Sequence, residues 1–212
     1  MPRSKLAALA LAAAIALTTA ACGSDSPSEP NPDGGGEPIM GKVWEMEALH
    51  TSGWTAGSGV PHTPYTATAH LTLRFAPGQS ASEPHPRYIV TGGTVTYDYN
   101  HTYYDCTSTA SVLTFEVTEE VSLESELRFD TTVNPVRYSG LIYTQGPEFQ
   151  VATSCGEGTD TRTHRAANTW LLLESDEAQP VSSDRRSVTG TDRDETSVGS
   201  YIQVDYTITR SE

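Results

Sequence analysis

Six histidines, several close carboxylates, three cysteines and one tyrosine-dense segment are the residues whose types and spacing could do chemistry. His62, His70, His85 and His101 fall in the first half of the main domain, with Asp105 four residues past His101. Imidazoles in such number are the material of zinc or copper sites, but their spacing matches no closed ligand motif. His62 and His85 lie among prolines, and His70 occupies the polar side of an alternating segment, so no metal is assigned. Asp192-Arg193-Asp194-Glu195 offers hard oxygen ligands for calcium but lacks the glycine that closes an EF-hand loop, and it reads as a solvated loop.

Glu45 and Glu47 share one strand face, and Glu119 and Glu120 are adjacent. Two carboxylates hydrolyse a glycoside only when held across a cleft at a defined separation, and an exposed strand face accounts for these pairs without one. Gly57-Ser58-Gly59 lacks the strand-to-helix context of a nucleophile elbow, and no glycine loop is arranged to cradle phosphate. No catalytic residue and no cofactor are assigned, and an envelope hydrolase stays as an alternative reading.

The segment Tyr97-Asp98-Tyr99-Asn100-His101-Thr102-Tyr103-Tyr104 is the most suggestive surface. Tyrosine is rigid, amphipathic and enriched where rings stack on ligands, which makes Tyr97, Tyr99, Tyr103 and Tyr104 a candidate binding surface. The competing reading is cross-strand aromatic pairing, with Tyr97 and Tyr99 turned into the core.

The cysteines explain one another. The N-terminus carries Arg3 and Lys5, an apolar stretch from Leu6 to Ala20, small residues and then Cys22, which is the pattern of a secretory signal over residues 1–21. The apolar stretch falls short of the roughly 20 residues that a helix needs to cross hydrocarbon. Thr19-Ala20-Ala21-Cys22 resembles the lipobox of bacterial lipoproteins, with Thr19 where the commonest pattern has leucine. That resemblance implies cleavage before Cys22, a diacylglycerol on its sulfur, and export to the cell envelope. Gly23 after the cysteine resembles outer-membrane sorting in a cell with two membranes. Lipidation of Cys22 leaves Cys106 and Cys155 to pair in an oxidising compartment. They lack the C-x-x-C spacing of a redox pair, so a structural disulfide is expected, worth about 4 kcal/mol for a loop of roughly fifty residues.

Composition narrows the partners. The 212 residues carry 27 acidic and 13 basic side chains, a formal charge of -14, and losing Arg3 and Lys5 with the signal makes the balance more negative still. Such a chain has no electrostatic footprint for nucleic acid or for an anionic lipid surface, so membrane attachment would rest on the lipid at Cys22. The remaining partner is an unidentified macromolecule or small ligand. Residues 23–38 contain only Gly, Ser, Asp, Pro, Glu and Asn, with no apolar side chain to repay the entropy of ordering. Together with Cys22 they form a linker, residues 22–38, with a span of roughly 20 to 24 Å.

Residues 39–212 make one domain that reads as all-β. Leu71, Leu73 and Phe75 alternate with His70, Thr72 and Arg74, and Ile202, Val204, Tyr206 and Ile208 alternate with Gln203, Asp205, Thr207 and Thr209. Further strands are expected over 42–49, 87–91, 94–100, 113–117, 126–131, 136–144, 149–153 and 169–174, with a short one near 186–189. Trp170-Leu171-Leu172-Leu173 is apolar on both sides and suits a central strand, and the one short helix would fall at 119–126. Turn signals about every ten residues favour an antiparallel β-sandwich, with a lipocalin-like up-and-down β-barrel as the alternative. The alternative rests on a resemblance: Gly41-Lys42-Val43-Trp44 is one residue longer than the G-x-W opening of lipocalin-like barrels, and Arg210 ends the last strand. It implies structural roles for Trp44 and Arg210 and an apolar ligand cavity. The reading is thus an exported, lipid-anchored β domain acting as a non-enzymatic binding or structural module, or else a lipocalin-like carrier.

Overall fold

Period-two alternation becomes strand along nearly the whole domain. The computed structural model describes residues 39, 43–55, 57–80, 83–120, 122, 125–166, 169–174 and 180–211, with the backbone alone over 169–174. All of them belong to the compact unit Asn31–Glu212. The signal segment, Cys22 and the linker lie outside the described residues. The strands are β1 (Val43–Trp54), β2 (Tyr65–Phe75), β3 (Arg87–Asp98), β4 (Asn100–Tyr103), β5 (Cys106–Thr109), β6 (Leu113–Val117), β7 (Glu126–Asp130), β8 (Arg137–Thr144), β9 (Glu148–Cys155), β10 (Gly158–Arg165), β11 (Thr169–Glu174), β12 (Ser187–Glu195) and β13 (Ser200–Ser211). No helix occurs among the described residues.

Nine strands form one antiparallel sheet in the order β11-β8-β7-β3-β2-β1-β13-β12, with β6 also paired to β3. The sheet curls until its outer strands β11 and β12 approach each other without pairing. This is the sandwich-like or barrel-like all-β architecture that the alternation implies. Trp44, Met46, Ala48, His50 and Ser52 of β1 all face inward, as do Val204, Tyr206, Ile208 and Arg210 of β13. One end of the shell is filled. Trp44 packs on Phe129 at 5.0 Å and edge-on to Tyr88 at 6.2 Å, and Leu73 and Leu127 close the space around them. Removing each such side chain from water stabilises the fold by roughly 1.5–3 kcal/mol. Polar atoms in this core find partners across it: Tyr88 donates to the Ile39 carbonyl, and the Tyr138 and Tyr206 hydroxyls meet at 2.9 Å. Trp44 lies directly opposite Arg210 in the β1–β13 register, and both are buried.

Two glycines are dictated by this packing. Gly93 has φ 140° beside the register shift between β2 and β3, and a side chain there would strike the His70 carbonyl. Gly190 of β12 faces the ring of Tyr206, which occupies the space of a Cβ.

β6 and β7 run along the same side of β3, pairing with its second and first halves respectively. Among the described residues between them, turns stand where a short helix is expected. Ser122 and Ser125 are buried there, Ser125 donating to the Tyr143 carbonyl at 2.9 Å and accepting from its N–H at 2.7 Å. Ser122 also donates to the Glu119 carbonyl three residues back at 3.4 Å, a local bond of the kind that competes with helix formation.

A second, four-stranded sheet has the order β10-β9-β5-β4. It begins where β3 runs almost without interruption into β4, so the same strand path serves both sheets. The expected disulfide is present: Cys106 on β5 and Cys155 on β9 are opposite residues in the ladder, with Cα atoms 4.2 Å apart.

Three further expectations change. Residues 169–174 form the terminal strand β11, paired with β8, rather than a central one. The strand near 186–189 extends through Ser187–Glu195, because β13 offers a partner over its full length. β4, β5 and β10 carry threonine and charge in place of apolar alternation, so hydrophobic period alone does not reveal them.

Candidate ligand-binding cleft

Period two places Tyr97, Tyr99, His101 and Tyr103 on one face of the continuous β3–β4 path, and the aromatic series runs outward from the core along it. Tyr97 is buried, Tyr99 and His101 are half-buried, and Tyr103 and Tyr104 are exposed. Consecutive rings are in contact: Tyr97 and Tyr99 at 6.1 Å, Tyr99 and His101 at 6.3 Å, His101 and Tyr103 at 6.3 Å, Tyr103 and Tyr104 at 4.7 Å. Tyr65 of β2 stacks on Tyr99 at 5.1 Å, and Trp54, the last residue of β1, meets Tyr103 at 6.0 Å. Phe149 and His164 of the small sheet pack on the other flank of Tyr99. Tyr97 thus joins the core, Tyr99 is half-buried, and Tyr103 and Tyr104 reach solvent.

Where the rings emerge, the shell opens into a cleft of about 260 Å³ lined by Trp54, Tyr65, His101, Asp194, Tyr201 and Ile202, with Ser52, Gly53, Thr196 and Ser200. His62 holds this rim together. Its Nε2 accepts from the Trp54 N–H and its Nδ1 reaches the Val60 carbonyl at 3.3 Å, an arrangement that a neutral ring protonated on Nδ1 satisfies. The neighbouring segment covers the free edge of β4, Thr63 N–H donating to the Thr102 carbonyl at 2.9 Å and Tyr104 N–H to the Pro61 carbonyl at 3.0 Å. Burial and then the nearby His62 lower the basicity of His101, which favours its neutral form. Burial, then the proximity of Tyr65, pushes the Tyr99 phenol up. Both shifts favour the uncharged ring.

β12 supplies the one charge. Asp192 and Asp194 lie on its inward side, whereas Arg193 and Glu195 point outward, so the four-residue acidic run is a strand divided between two faces rather than the loop expected from its polarity. Arg193 donates to Gln203 at 2.8 Å and to Glu195 at 3.1 Å, and its guanidinium lies 4.2 Å from the centre of the Tyr201 ring. Among the described residues, the Asp194 carboxylate has no hydrogen-bond or ion-pair partner, and no lysine or arginine lines the cleft. The local hydroxyls are already engaged: Thr196 with Ser200 at 2.6 Å, and Ser52 with the Tyr201 carbonyl at 3.3 Å. Sequence reasoning missed Trp54, Tyr65 and Tyr201 and considered Asp194 only within a calcium run, because the residues meet only where β2, β1, β13 and β12 pair side by side.

Below the cleft on β1, His50 is almost fully buried between Val204 and Ala67 in the register. Neither ring nitrogen has a hydrogen-bond partner among the described residues, and burial lowers its pKa to about 4. The other histidines are dispersed. His70 is on the outer face with Nδ1 4.0 Å from Glu47, and His85 pairs with Asp130 at 3.5 Å. No three of His, Cys, Asp and Glu converge as a ligand set among the described residues. Glu45 and Glu47 are exposed on the outer face of β1.

That outer face also carries a larger, shallower trough of about 740 Å³ across β2, β1, β13 and β12. Its groups answer one another: Thr191 and Gln203 both donate to Asp205, at 2.6 and 3.0 Å, and His70 faces Glu47. Its lining aromatic, Tyr206, is buried and bound to Tyr138. The smaller cleft, with its half-buried rings and unanswered carboxylate, is the better candidate site. Comparisons of the chain with protein families, with curated proteins and with solved structures found no match.

Proposed function

We propose that the protein is an exported lipoprotein, anchored through Cys22, whose β domain is a ligand-binding module of the cell envelope with the aromatic cleft as its site. The observation that carries the binding reading is the ring series that leaves the core at Tyr97 and ends exposed beside Trp54 and Tyr103. Buried aromatics stabilise a fold, but rings left at the mouth of a cleft keep faces free for a partner. Support for the anchor is independent: the segment ending at Cys22, the polar linker after it, and a disulfide that uses the other two cysteines.

The carrier reading has a specific observation of its own, the burial of Trp44 opposite Arg210. The space beside Trp44 is occupied by Phe129 and Tyr88, so a ligand of either kind would enter at the other end, by Trp54. Two experiments test the proposal. Cys22→Ser should move the protein from the membrane fraction to the soluble one, and an unchanged distribution would remove the anchor. A screen of small molecules against the full chain should yield a ligand whose binding is lost in Trp54→Ala, and a ligand bound equally by that variant would place the site elsewhere.

A further inference from the structure

Building on the cleft as a binding site, we infer that its ligand is a small organic cation, an ammonium held between the rings of Trp54 and Tyr65 and the carboxylate of Asp194. Three observations support this class. The cleft's unpartnered charge is negative, because Asp194 has no partner among the described residues and no basic side chain lines the walls. A ligand rich in hydroxyls would need donors and acceptors in turn, yet Thr196, Ser200 and Ser52 are already committed to one another and to backbone. Aromatic faces, by contrast, attract a cation through their quadrupoles, and more strongly where water is partly excluded.

The protein already displays this interaction on the outer face of β12 and β13. The guanidinium of Arg193 lies over Tyr201 at 4.2 Å while Glu195 and Gln203 answer its charge. Arg193 is thereby neutralised on the outer side, and Asp194 next to it remains the carboxylate available inward. His101 does not oppose a cation, since burial and His62 favour its neutral form. At about 260 Å³ the cleft is below the usual size of a drug-like pocket, which fits a head group or a metabolite rather than a polymer. The net charge of -14 favours the approach of cations from solution.

The test is a calorimetric titration of the full chain with choline, with 3,3-dimethylbutan-1-ol as its uncharged carbon isostere, and with glucose. Choline should bind, the isostere should bind at least tenfold more weakly, and Asp194→Asn should weaken choline at least tenfold while leaving the isostere unchanged. Asp194 is exposed on β12, so circular dichroism and an unchanged thermal midpoint should show that the variant folds. Equal binding of choline and the isostere would overturn the inference, as would an Asp194→Asn variant with wild-type choline affinity. Glucose bound in a Trp54-dependent way, with no choline binding, would overturn the cation and leave the binding reading standing. No ligand of any class bound at Trp54 would overturn both.

Discussion

Trp44 and Trp54 lie on the same strand, ten positions apart and on the same inward face, and they have opposite surroundings. Trp44 is fully buried against Phe129, Tyr88 and Leu73, whereas Trp54 is half-buried at a rim where its neighbour Tyr103 is exposed. β3 and its continuation repeat the contrast, from the buried Tyr88 at one end to the exposed Tyr103 beyond the other. The residue type is the same at the two ends of each path, Trp on one and Tyr on the other, so enclosure by the curled sheet is what separates a ring that packs from a ring left free for a partner.

The comparison is broken most forcefully at the closed end. Trp44→Ala should cost about 3–5 kcal/mol, because the cavity left between Phe129 and Tyr88 collapses only in part, and urea denaturation would measure it. Opening the disulfide by Cys106→Ala with Cys155→Ala should cost about 4 kcal/mol from the loop it closes, loosening β5 and β9 more than the large sheet. Hydrogen exchange resolved by strand would show which sheet loses protection.

Midway along β1, His50 links stability to pH. Its folded pKa of about 4 lies below the 6.5 of an exposed ring, so the fold favours the neutral form. The stability is fully present above pH 6.5 and falls by about 3 kcal/mol as the pH drops toward 4. Carboxylates held low, such as Asp130 by the Thr132 hydroxyl, act only at more acid pH. Thermal midpoints between pH 7.5 and 4 should therefore decline in the wild type and decline much less in His50→Leu. The smallest stability effect belongs to the open end, where Trp54→Ala should cost about 1 kcal/mol in the same urea assay. A Trp54→Ala cost as large as that of Trp44→Ala would erase the distinction between packing and binding ends.

Much of the shell is legible in sequence because one face of each strand is apolar. Leu71 with Leu73 and Ile202 through Ile208 declare their strands by alternation alone, and Cys106 and Cys155 declare their bridge by arithmetic once Cys22 is read as lipidated. The small sheet is legible only in β9, expected over 149–153. Thr159, Thr161 and Thr163 sit in a hairpin with β9 that has no apolar period, and Thr107 and Thr109 pair with β9 far along the chain. The site is half legible: the Tyr97–Tyr104 run is local, but Trp54, Tyr65, Asp194 and Tyr201 meet it only through strand pairing. Asp194 in particular is hidden in a polar run whose character depends on β13, since the same residues without that partner would be a loop.

The central claim, that the open aromatic end binds a ligand, is tested most directly by thermal midpoints of wild type and Trp54→Ala across organic cations, sugars and apolar acids. A ligand at a hundred times its Kd should add about 2.7 kcal/mol, roughly 5–10 °C for a domain of this size, in the wild type and not in the variant. Equal shifts in the two proteins, or no shift with any ligand, would contradict it.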